Sequence, residues 1–391
     1  MTRTVVVSRS TIAGPISRGQ FTTAIALLEQ RFSILQSVFR DGCFVERPAS
    51  RAASVDWYSR DAMSPEALYD LLLNTDLDTE QQIYAAYAID NGDSIDAFLH
   101  TSHAITDATS LVELHSFLAY LCDCVISGTT PAFEVQAFPP HVDGAVEHCL
   151  SLLEQADAAG LPASYDGSFA LLPLHDPAAG PPVRHRLERL VIEPDEMRQI
   201  SDAAHRHGVS VHSVLVAAFA LAIRDVADER PPQILMRSSI DMRRRLEPHV
   251  SVELVFSAIT GHITHIPDLD RPILALAGLV FSDIRNGVAD GRIFHDYRNY
   301  PRSFGAPGDV PVALNISDMG TIHYHQVSGQ TRDSGFEYAL GWLKKFPNVS
   351  VSINDGRLVA NTVYVEEFVA PPVMRRMSEL VRQYLRAARE G

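Results

Sequence analysis

The sequence predicts a mixed α/β protein, in which helices accompany mostly antiparallel or mixed strands in two lobes. The chain has 391 residues, more than one hydrophobic core normally serves. Helical and extended patterns alternate along both halves, and Asp-Gly and Asn-Gly pairs join extended runs as in antiparallel hairpins. Residues 128–182 contain eight prolines, a density typical of a connection between lobes. We therefore expect an N-terminal lobe at residues 1–150, a Pro/Gly/Ala-rich crossover at 151–183 and a C-terminal lobe at 184–391.

The first half alternates helices with strands. Apolar residues at helical spacing predict the first helix, namely Phe21, Ala24, Ile25, Leu28 and Phe32. Asp41-Gly42 predicts a hairpin between Ile34–Arg40 and Cys43–Arg47. The other elements expected here are a helix at Ser64–Leu73, strands at Gln81–Asp90 and Ser94–His103, and a helix from Asp107 on which Leu111, Leu114, Leu118 and Leu121 recur.

The second half repeats this plan. Pro194 and the acids after it predict a helix start, and Ser210 can cap a long apolar helix, Val211–Val226. We expect further helices at Ile273–Asn286 and Pro372–Arg389, and a short helix at about Ala145–Ala158 that interrupts the proline-rich connection. We expect strands at Arg184–Ile192, Gln233–Ile240, Val310–Ile316, Val349–Ile353 and Leu358–Val365, and a loop at Gly287–Gly308.

Composition excludes several classes of protein. The net charge is 33 − 48 = −15, which disfavours nucleic acid and anionic membrane as partners. Four cysteines without a C-x-x-C pair are too few for a disulfide scaffold. The apolar run Val214–Ile223 is half as long as a membrane span, and Val5–Val7 is too short for a signal peptide. We therefore expect a cytoplasmic monomer without a membrane span.

The candidate site is the segment where a strand ends and a helix begins. His103 closes the apolar run Ile95–His103, and Asp107 stands where the N-cap of the next helix is expected. A histidine with a near-neutral pKa suits a general base. The alternative is a core histidine beside a helix cap. No G-x-S-x-G, P-loop or G-x-G-x-x-G sequence is present, which disfavours serine hydrolases and nucleotide-binding proteins.

Three segments resemble the condensation-domain superfamily. SHAITDA, residues 102–108, resembles its H-H-x-x-x-D-G signature, IDMRRRL, residues 240–246, resembles its V-D-x-R segment, and GRLVANTVYV, residues 356–365, resembles its penultimate strand. Over most of its length the chain is similar to polyketide-associated acyltransferases of the phthiocerol dimycocerosyl transferase type. AIALLEQRFSILQSVFRDG, residues 24–42, and LVFSDIRNGVADG, residues 279–291, fit that family.

This resemblance implies two chloramphenicol-acetyltransferase-like lobes with an active site in a channel between them. It implies transfer of an acyl group from a carrier-protein or coenzyme A thioester to a hydroxyl, without metal or cofactor. His103 would be the general base, and Asp107 would form a structural ion pair with Arg243. Arg285 matches an arginine important to the family's active site. Asn315 and Ser317 match a polar segment, where Ser317 can donate to the oxyanion or serve a structural turn.

Two residues depart from the family signature. Ser102 replaces its first histidine, which we expect to change packing or hydrogen bonding behind the site. Ala108 replaces its glycine, where a methyl group can limit the reach or size of the substrate.

The sequence leaves other activities open. The protein can instead be a non-catalytic condensation-like protein that binds a carrier protein or a biosynthetic intermediate, or an enzyme that forms an amide or a ring. An acyl carrier protein is an expected partner and a small alcohol the acceptor. The arginines that can form a docking face for the carrier protein are Arg244, Arg245, Arg292, Arg298 and Arg302. The alternative is that they are a solvated charge run. His323 and His325 fit a surface pair in a strand better than a metal site.

Overall fold

A computed structural model describes residues 4–47, 55–139, 142–153, 167–174, 183–298, 310–324 and 331–390. The chain forms two compact units. The first comprises Met1–His141, Val250–Ser257 and Thr321–Trp342, and the second comprises Val142–His249, Ala258–Gly320 and Leu343–Gly391. Most of the predicted N-terminal lobe, residues 1–150, therefore lies in the first unit, which also takes in two segments from later in the chain.

The described strands of the first unit are β1 Thr4–Ala13, β2 Ser37–Arg40, β3 Cys43–Glu46, β4 Val55–Ser59, β5 Tyr84–Asp90, β6 Ser94–Ser102 and β11 Arg332–Trp342. Its helices are α1 Arg18–Arg31, α2 Pro65–Leu73 and α3 Ala108–Ser127. A five-stranded sheet has the order β11-β1-β6-β5-β4, and only the β4–β5 pairing is parallel. The later segment enters this unit because β11 pairs with β1 over the whole length of β1.

Helix α3 is a core element of the first unit. It packs on α1, β1 and β11 and buries Leu111, Leu114, Leu118 and Leu121, as their helical spacing predicts. Gly128 ends the helix in the left-handed conformation, with φ 68°. This helix is long and apolar enough to cross a membrane, but 61% of its most apolar window is buried inside the protein. The bent pair Pro194–Arg206 and Val211–Val226 passes the same test only as a joined span with a 103° bend.

The second unit has strands β7 His185–Ile192, β8 Ile234–Asp241, β9 Ile259–Ile266, β10 Val312–Thr321, β12 Asn348–Asn354 and β13 Arg357–Val365. Its described helices are α4 Val142–Leu152, α5 Pro194–Arg206, α6 Val211–Val226, α7 Ile273–Ala289, α8 Arg292–Arg298 and α9 Pro371–Glu390. The sheet order is β7-β13-β12-β10-β8-β9, with β8 and β10 parallel. Helix α6 lies at the centre of the core, and α5, α7 and α9 pack around it.

Local sequence signals explain many element boundaries. Ser64 and Ser210 accept hydrogen bonds from first-turn N–H groups and cap α2 and α6 as expected. Asp41 and Gly42 have positive φ of 50° and 80°, which matches the backbone of a two-residue hairpin turn. The predicted mixed α/β class with mostly antiparallel strands is confirmed.

Three expectations about elements are wrong. Residues Ser33–Gln36 form a 3₁₀ turn, so the first strand of the hairpin begins at Ser37 instead of Ile34. The loop predicted at 287–308 contains helix α8, and its residues 299–308 lie outside the described part of the chain. The two histidines expected in a strand are His323 and His325. Strand β10 ends at Thr321, so His323, which is exposed, lies beyond it, and His325 lies outside the described residues.

Candidate functional site

Strand β6 ends at Ser102, and a tight turn leads into α3. The Ile105 N–H donates to the Ser102 carbonyl at 3.2 Å, and the Ala104 N–H donates to Ser102 Oγ at 3.3 Å. A side chain that accepts from the backbone two residues later stabilises a turn. Ser102, which replaces a histidine of the resembled signature, thus holds the turn that carries His103.

His103 is half-buried in this turn, and a backbone carbonyl is the partner of its Nδ1. His103 Nδ1 lies 2.6 Å from the Thr106 carbonyl oxygen. Because a carbonyl oxygen only accepts, Nδ1 must carry the hydrogen, and the lone pair of the neutral ring lies on Nε2. The turn therefore selects the tautomer in which Nε2 can take up a proton.

Asp107 is buried, with 1% exposure, and caps helix α3. Its carboxylate accepts from the Ser110 N–H at 3.0 Å, and its backbone is extended, with φ −121°. The predicted N-cap is confirmed. Ala108 is the first residue of α3 and is half-buried.

The segment Val250–Ser257 contacts the first turn of α3. Ser110 Oγ donates to the Phe256 carbonyl at 2.7 Å and accepts from the Phe256 N–H at 3.1 Å. Sequence reasoning missed this contact because 146 residues separate the two partners.

In the second unit, Arg243 follows the end of β8 and its side chain is fully buried. Its Nη1 donates to Asp241 Oδ1 at 3.1 Å, and its backbone N–H donates to the same oxygen at 2.9 Å. Asp107 belongs to the first unit. The ion pair between Asp107 and Arg243 that the resemblance implies stays a prediction.

Asn315 is buried within β10, at 1% exposure. Its Oδ1 accepts from Arg237 Nη1 at 2.6 Å, and its Nδ2 donates to Asn348 Oδ1 at 2.6 Å and Ser239 Oγ at 3.2 Å. Both ends of the amide therefore hold neighbouring strands together. Gly261 permits this packing, because a Cβ there would lie 1.8 Å from the Arg237 guanidinium.

The other two predicted residues lie elsewhere in the second unit. Ser317 is half-buried, two residues after Asn315 on β10. Arg285 is exposed on α7, with its guanidinium carbon 5.8 Å from the centre of the Phe281 ring. Their roles in an active site stay predictions.

A Ser–His–Asp hydrogen-bond chain in the second unit was missed from the sequence. Ser238 Oγ lies 2.9 Å from His212 Nε2, and His212 Nδ1 lies 3.3 Å from Asp318 Oδ2. Ser238 is only 2% exposed, so a substrate carbonyl cannot reach its hydroxyl in this conformation. We interpret the chain as a link between α6, β8 and β10.

A second missed cluster surrounds His262 on β9. Its Nδ1 lies 2.8 Å from Asp296 on α8, and its Nε2 lies 3.0 Å from Asp283 on α7. Burial alone lowers the pKa of His262, but the hydrogen bonds and charges of the two carboxylates outweigh burial and raise it to about 9. His262 is therefore an imidazolium at neutral pH and holds two helices to the sheet.

A third cluster is buried in the first unit. His115 on α3 lies 2.9 Å from Ser8 Oγ and 2.8 Å from Ser10 Oγ, and burial lowers its pKa to about 3. Burial raises the pKa of Asp333 on β11 to about 7. Ser10 and the Ser334 N–H lower that pKa only in part, and among the described residues no contact of the Asp333 carboxylate meets full hydrogen-bond geometry. The acid is thus poised to titrate near neutral pH.

A metal site would need several His, Cys, Asp or Glu side chains close together in the described part of the chain. No group of three or more His, Cys, Asp or Glu side chains there is arranged to hold a metal ion. The cysteines are free, with Cys43 exposed and Cys122, Cys124 and Cys149 buried. That the protein needs no cofactor stays a prediction.

Comparisons with known proteins agree with the architecture. Residues 181–330 match the family model described as phthiocerol/phthiodiolone dimycocerosyl transferase C-terminus. No curated protein matches the chain. Polyketide synthase associated protein 5 from Mycobacterium tuberculosis has a similar structure, with a TM-score of 0.72 at 16% identity over 97% of this chain and 94% of that chain.

Two further structures widen the comparison. The first condensation domain of the calcium-dependent antibiotic synthetase gives a TM-score of 0.75 at 14% identity, over 98% of this chain and 91% of that chain. Trichothecene 15-O-acetyltransferase from Fusarium sporotrichioides gives a TM-score of 0.71 at 10% identity, over 99% of this chain and 92% of that chain. At such identities the likeness concerns the fold. The chain therefore has the fold of condensation domains and chloramphenicol-acetyltransferase-like acyltransferases, and the resemblance of its sequence to the phthiocerol dimycocerosyl transferase family is confirmed over residues 181–330.

Proposed function

We propose that this protein is an O-acyltransferase with His103 as general base. It would move an acyl group from a carrier-protein or coenzyme A thioester to a hydroxyl of a polyketide- or lipid-like acceptor. The observation that carries the proposal is the 2.6 Å contact from His103 Nδ1 to the Thr106 carbonyl, which leaves Nε2 as the basic nitrogen. The match of residues 181–330 to a transferase family supports the reaction class.

In the proposed reaction, His103 Nε2 removes the proton of the acceptor hydroxyl as its oxygen attacks the thioester carbonyl. The tetrahedral oxyanion then collapses, the carbon–sulfur bond breaks and the thiolate takes the proton from His103. The products are an ester and a free thiol. A thioester is already activated, so this route requires neither a covalent acyl-enzyme nor a metal. The proposed oxyanion donor is Ser317.

The test incubates the protein with a short acyl thioester and a panel of alcohols, and follows thiol release by absorbance and the product by mass spectrometry. We expect His103→Ala to lower the rate by roughly 10²- to 10⁴-fold, as loss of a general base does. His323→Ala is the matched control, because this exposed histidine lies outside the proposed site. Unchanged turnover in His103→Ala would remove His103 from the mechanism.

The same assay separates the alternatives. An amide or cyclic product would assign the protein to another reaction on this fold. Carrier binding without thiol release would make it a non-catalytic binding protein, a role that the replacements at Ser102 and Ala108 leave open.

The proposed donor partner is an acyl carrier protein. Among the candidate docking arginines, Arg292 pairs with Asp283 and Asp290 at 3.3 and 2.9 Å, and Arg298 pairs with Glu147 at 3.4 Å. Arg244 and Arg245 are exposed after β8, and Arg302 lies outside the described residues. Since acids already neutralise part of the charge at Arg292 and Arg298, Arg244 is the best single position to test.

For the docking test, Arg244→Glu should slow transfer from a carrier-bound donor, mainly by slowing association, and added salt should slow the wild-type protein. Transfer from a small free thioester should stay nearly constant. Equal losses with both donors would assign Arg244 to folding or to the active site. A carrier reaction that salt does not affect would favour coenzyme A as the donor.

A further inference from the structure

We propose that Thr106 is a positioning residue for His103, and that its buried hydroxyl fixes the carbonyl that selects the histidine tautomer. This inference deepens the proposed function and rests on it where catalysis is concerned. The contact between His103 Nδ1 and the Thr106 carbonyl belongs to the backbone, so any residue at 106 can make it. What the threonine adds is a side chain that holds this backbone in place.

The Thr106 side chain is fully buried and hydrogen-bonded within its own turn. Its Oγ1 donates to the Ser102 carbonyl at 3.3 Å and lies 2.8 Å from Thr101 Oγ1, which is also fully buried. Each hydroxyl has one hydrogen. When the Thr106 hydrogen points to Ser102, the Thr101 hydroxyl can donate to Thr106 Oγ1 at 2.8 Å or to the Val6 carbonyl oxygen at 3.5 Å, and the shorter distance favours Thr106 Oγ1.

This chain of hydrogen bonds joins the two ends of the turn. Thr101 and Ser102 are the last residues of strand β6, whereas Thr106 precedes the N-cap of α3. The hydroxyls therefore fix the distance between the end of the strand and the start of the helix. Residues 103–105 between them have two further bonds within the turn, from the Ile105 N–H to the Ser102 carbonyl and from the Ala104 N–H to Ser102 Oγ, and the His103 N–H donates to the Thr4 carbonyl at 3.4 Å. Without the Thr106 hydroxyl, the peptide that presents the Thr106 carbonyl can rotate away from Nδ1.

The tautomer is the catalytic consequence. In water a neutral imidazole prefers the form with hydrogen on Nε2, and that form cannot accept a proton at Nε2. The carbonyl contact reverses the preference by accepting from Nδ1. Weakening this contact should therefore lower the fraction of protein in the reactive tautomer, without removing any group that touches the substrate.

The experiment compares Thr106→Val, which keeps the shape and removes the hydroxyl, with Thr106→Ser, which keeps the hydroxyl. The protein carries ¹⁵N-labelled histidine, and two-bond ¹H–¹⁵N spectra at pH 8 report which ring nitrogen of His103 carries hydrogen. His103→Gln assigns the signals. The kcat and KM for acyl transfer are measured on the same samples.

We expect the wild-type protein and Thr106→Ser to show the Nδ1–H form. Thr106→Val should show a mixture shifted toward Nε2–H, with kcat lower by roughly 10- to 100-fold and KM almost unchanged. A wild-type spectrum and rate in Thr106→Val would overturn the proposal. If that variant fails to fold, Thr101→Val, which removes the donor to Thr106, decides by the same two criteria. Since the spectra need no substrate, a protein that transfers no acyl group would refute the proposed function and still leave the tautomer prediction decidable.

Discussion

The imidazolium of His262 should make the stability of the protein depend on pH on the alkaline side. His262 has 3% side-chain exposure and contacts Asp283 and Asp296. The pKa of the folded state is about 9, against 6.5 for a free histidine. Because the folded value is the higher one, the stabilisation is complete below pH 6.5 and is lost as the pH rises through about 9.

The size of the effect follows from the difference between the two pKa values. About 2.5 pKa units at 1.36 kcal/mol each correspond to roughly 3 kcal/mol. The pKa of Asp283 is lowered, because the hydrogen bond and charge of His262 outweigh burial. The two shifts describe one interaction, so the free energy is taken from the histidine alone.

Urea unfolding at pH 6 and pH 9.5 tests this expectation. We expect His262→Gln to be less stable than wild type by about 3 kcal/mol at pH 6, and the gap to shrink toward zero at pH 9.5. His265→Gln is the matched control, because His265 lies on the same strand and contacts Gln233 Oε1 at 2.8 Å. A gap of equal size at both pH values would show that His262 acts through packing and carries no charge.

Two further predictions concern buried carboxylates. Asp333 has a pKa of about 7 in the fold against 3.8 in the free side chain. Between these pKa values the folded protein keeps the proton that the unfolded chain loses, so the stability of the protein should fall as the pH rises from about 4 through 7. Asp333→Asn should match wild type at pH 4 and exceed it by up to about 4 kcal/mol at pH 8 in urea unfolding, and a constant difference would contradict the assignment. Asp107→Asn keeps an N-cap but removes the charge. It should cost less than about 1 kcal/mol if capping is the only role of Asp107, and about 3 to 5 kcal/mol if Asp107 also forms the buried ion pair that the resemblance implies.

The parts of the fold that could be predicted are those with local signals. The caps at Ser64 and Ser210, the turn at Asp41-Gly42 and the helix after Asp107 each depend on residues within one turn of each other. The His103 turn belongs to this group. Its residue types and spacing give the strand end and the helix start without knowledge of distant contacts.

Four described strands were missed, namely β1, β4, β9 and β11, and buried polar residues interrupt the apolar patterns of β1, β9 and β11. Strand β1 buries Ser8 and Ser10, which hydrogen-bond His115 from α3. Strand β9 contains His262, and β11 contains Asp333. Sequence patterns treat such positions as solvent-facing, whereas partners more than 90 residues away allow Ser8 and Ser10 to be buried.

The polar clusters were missed for the same reason, because their members are distant from each other in the sequence. The polar chain from Ser238 through His212 to Asp318 joins residues from three separate elements, so no short motif can reveal it.

The pairing of β1 with β11 has a consequence for synthesis on the ribosome. Residues 4–13 pair with residues 332–342, so the ribosome makes β1 more than 300 residues before its outer neighbour exists. Until then β1 is an edge strand with three adjacent valines, Val5 to Val7, a feature that invites intermolecular pairing. We expect nascent chains of this protein to depend on chaperones for longer than its many local helices suggest, and fragments that end before β11 to aggregate when they are expressed alone.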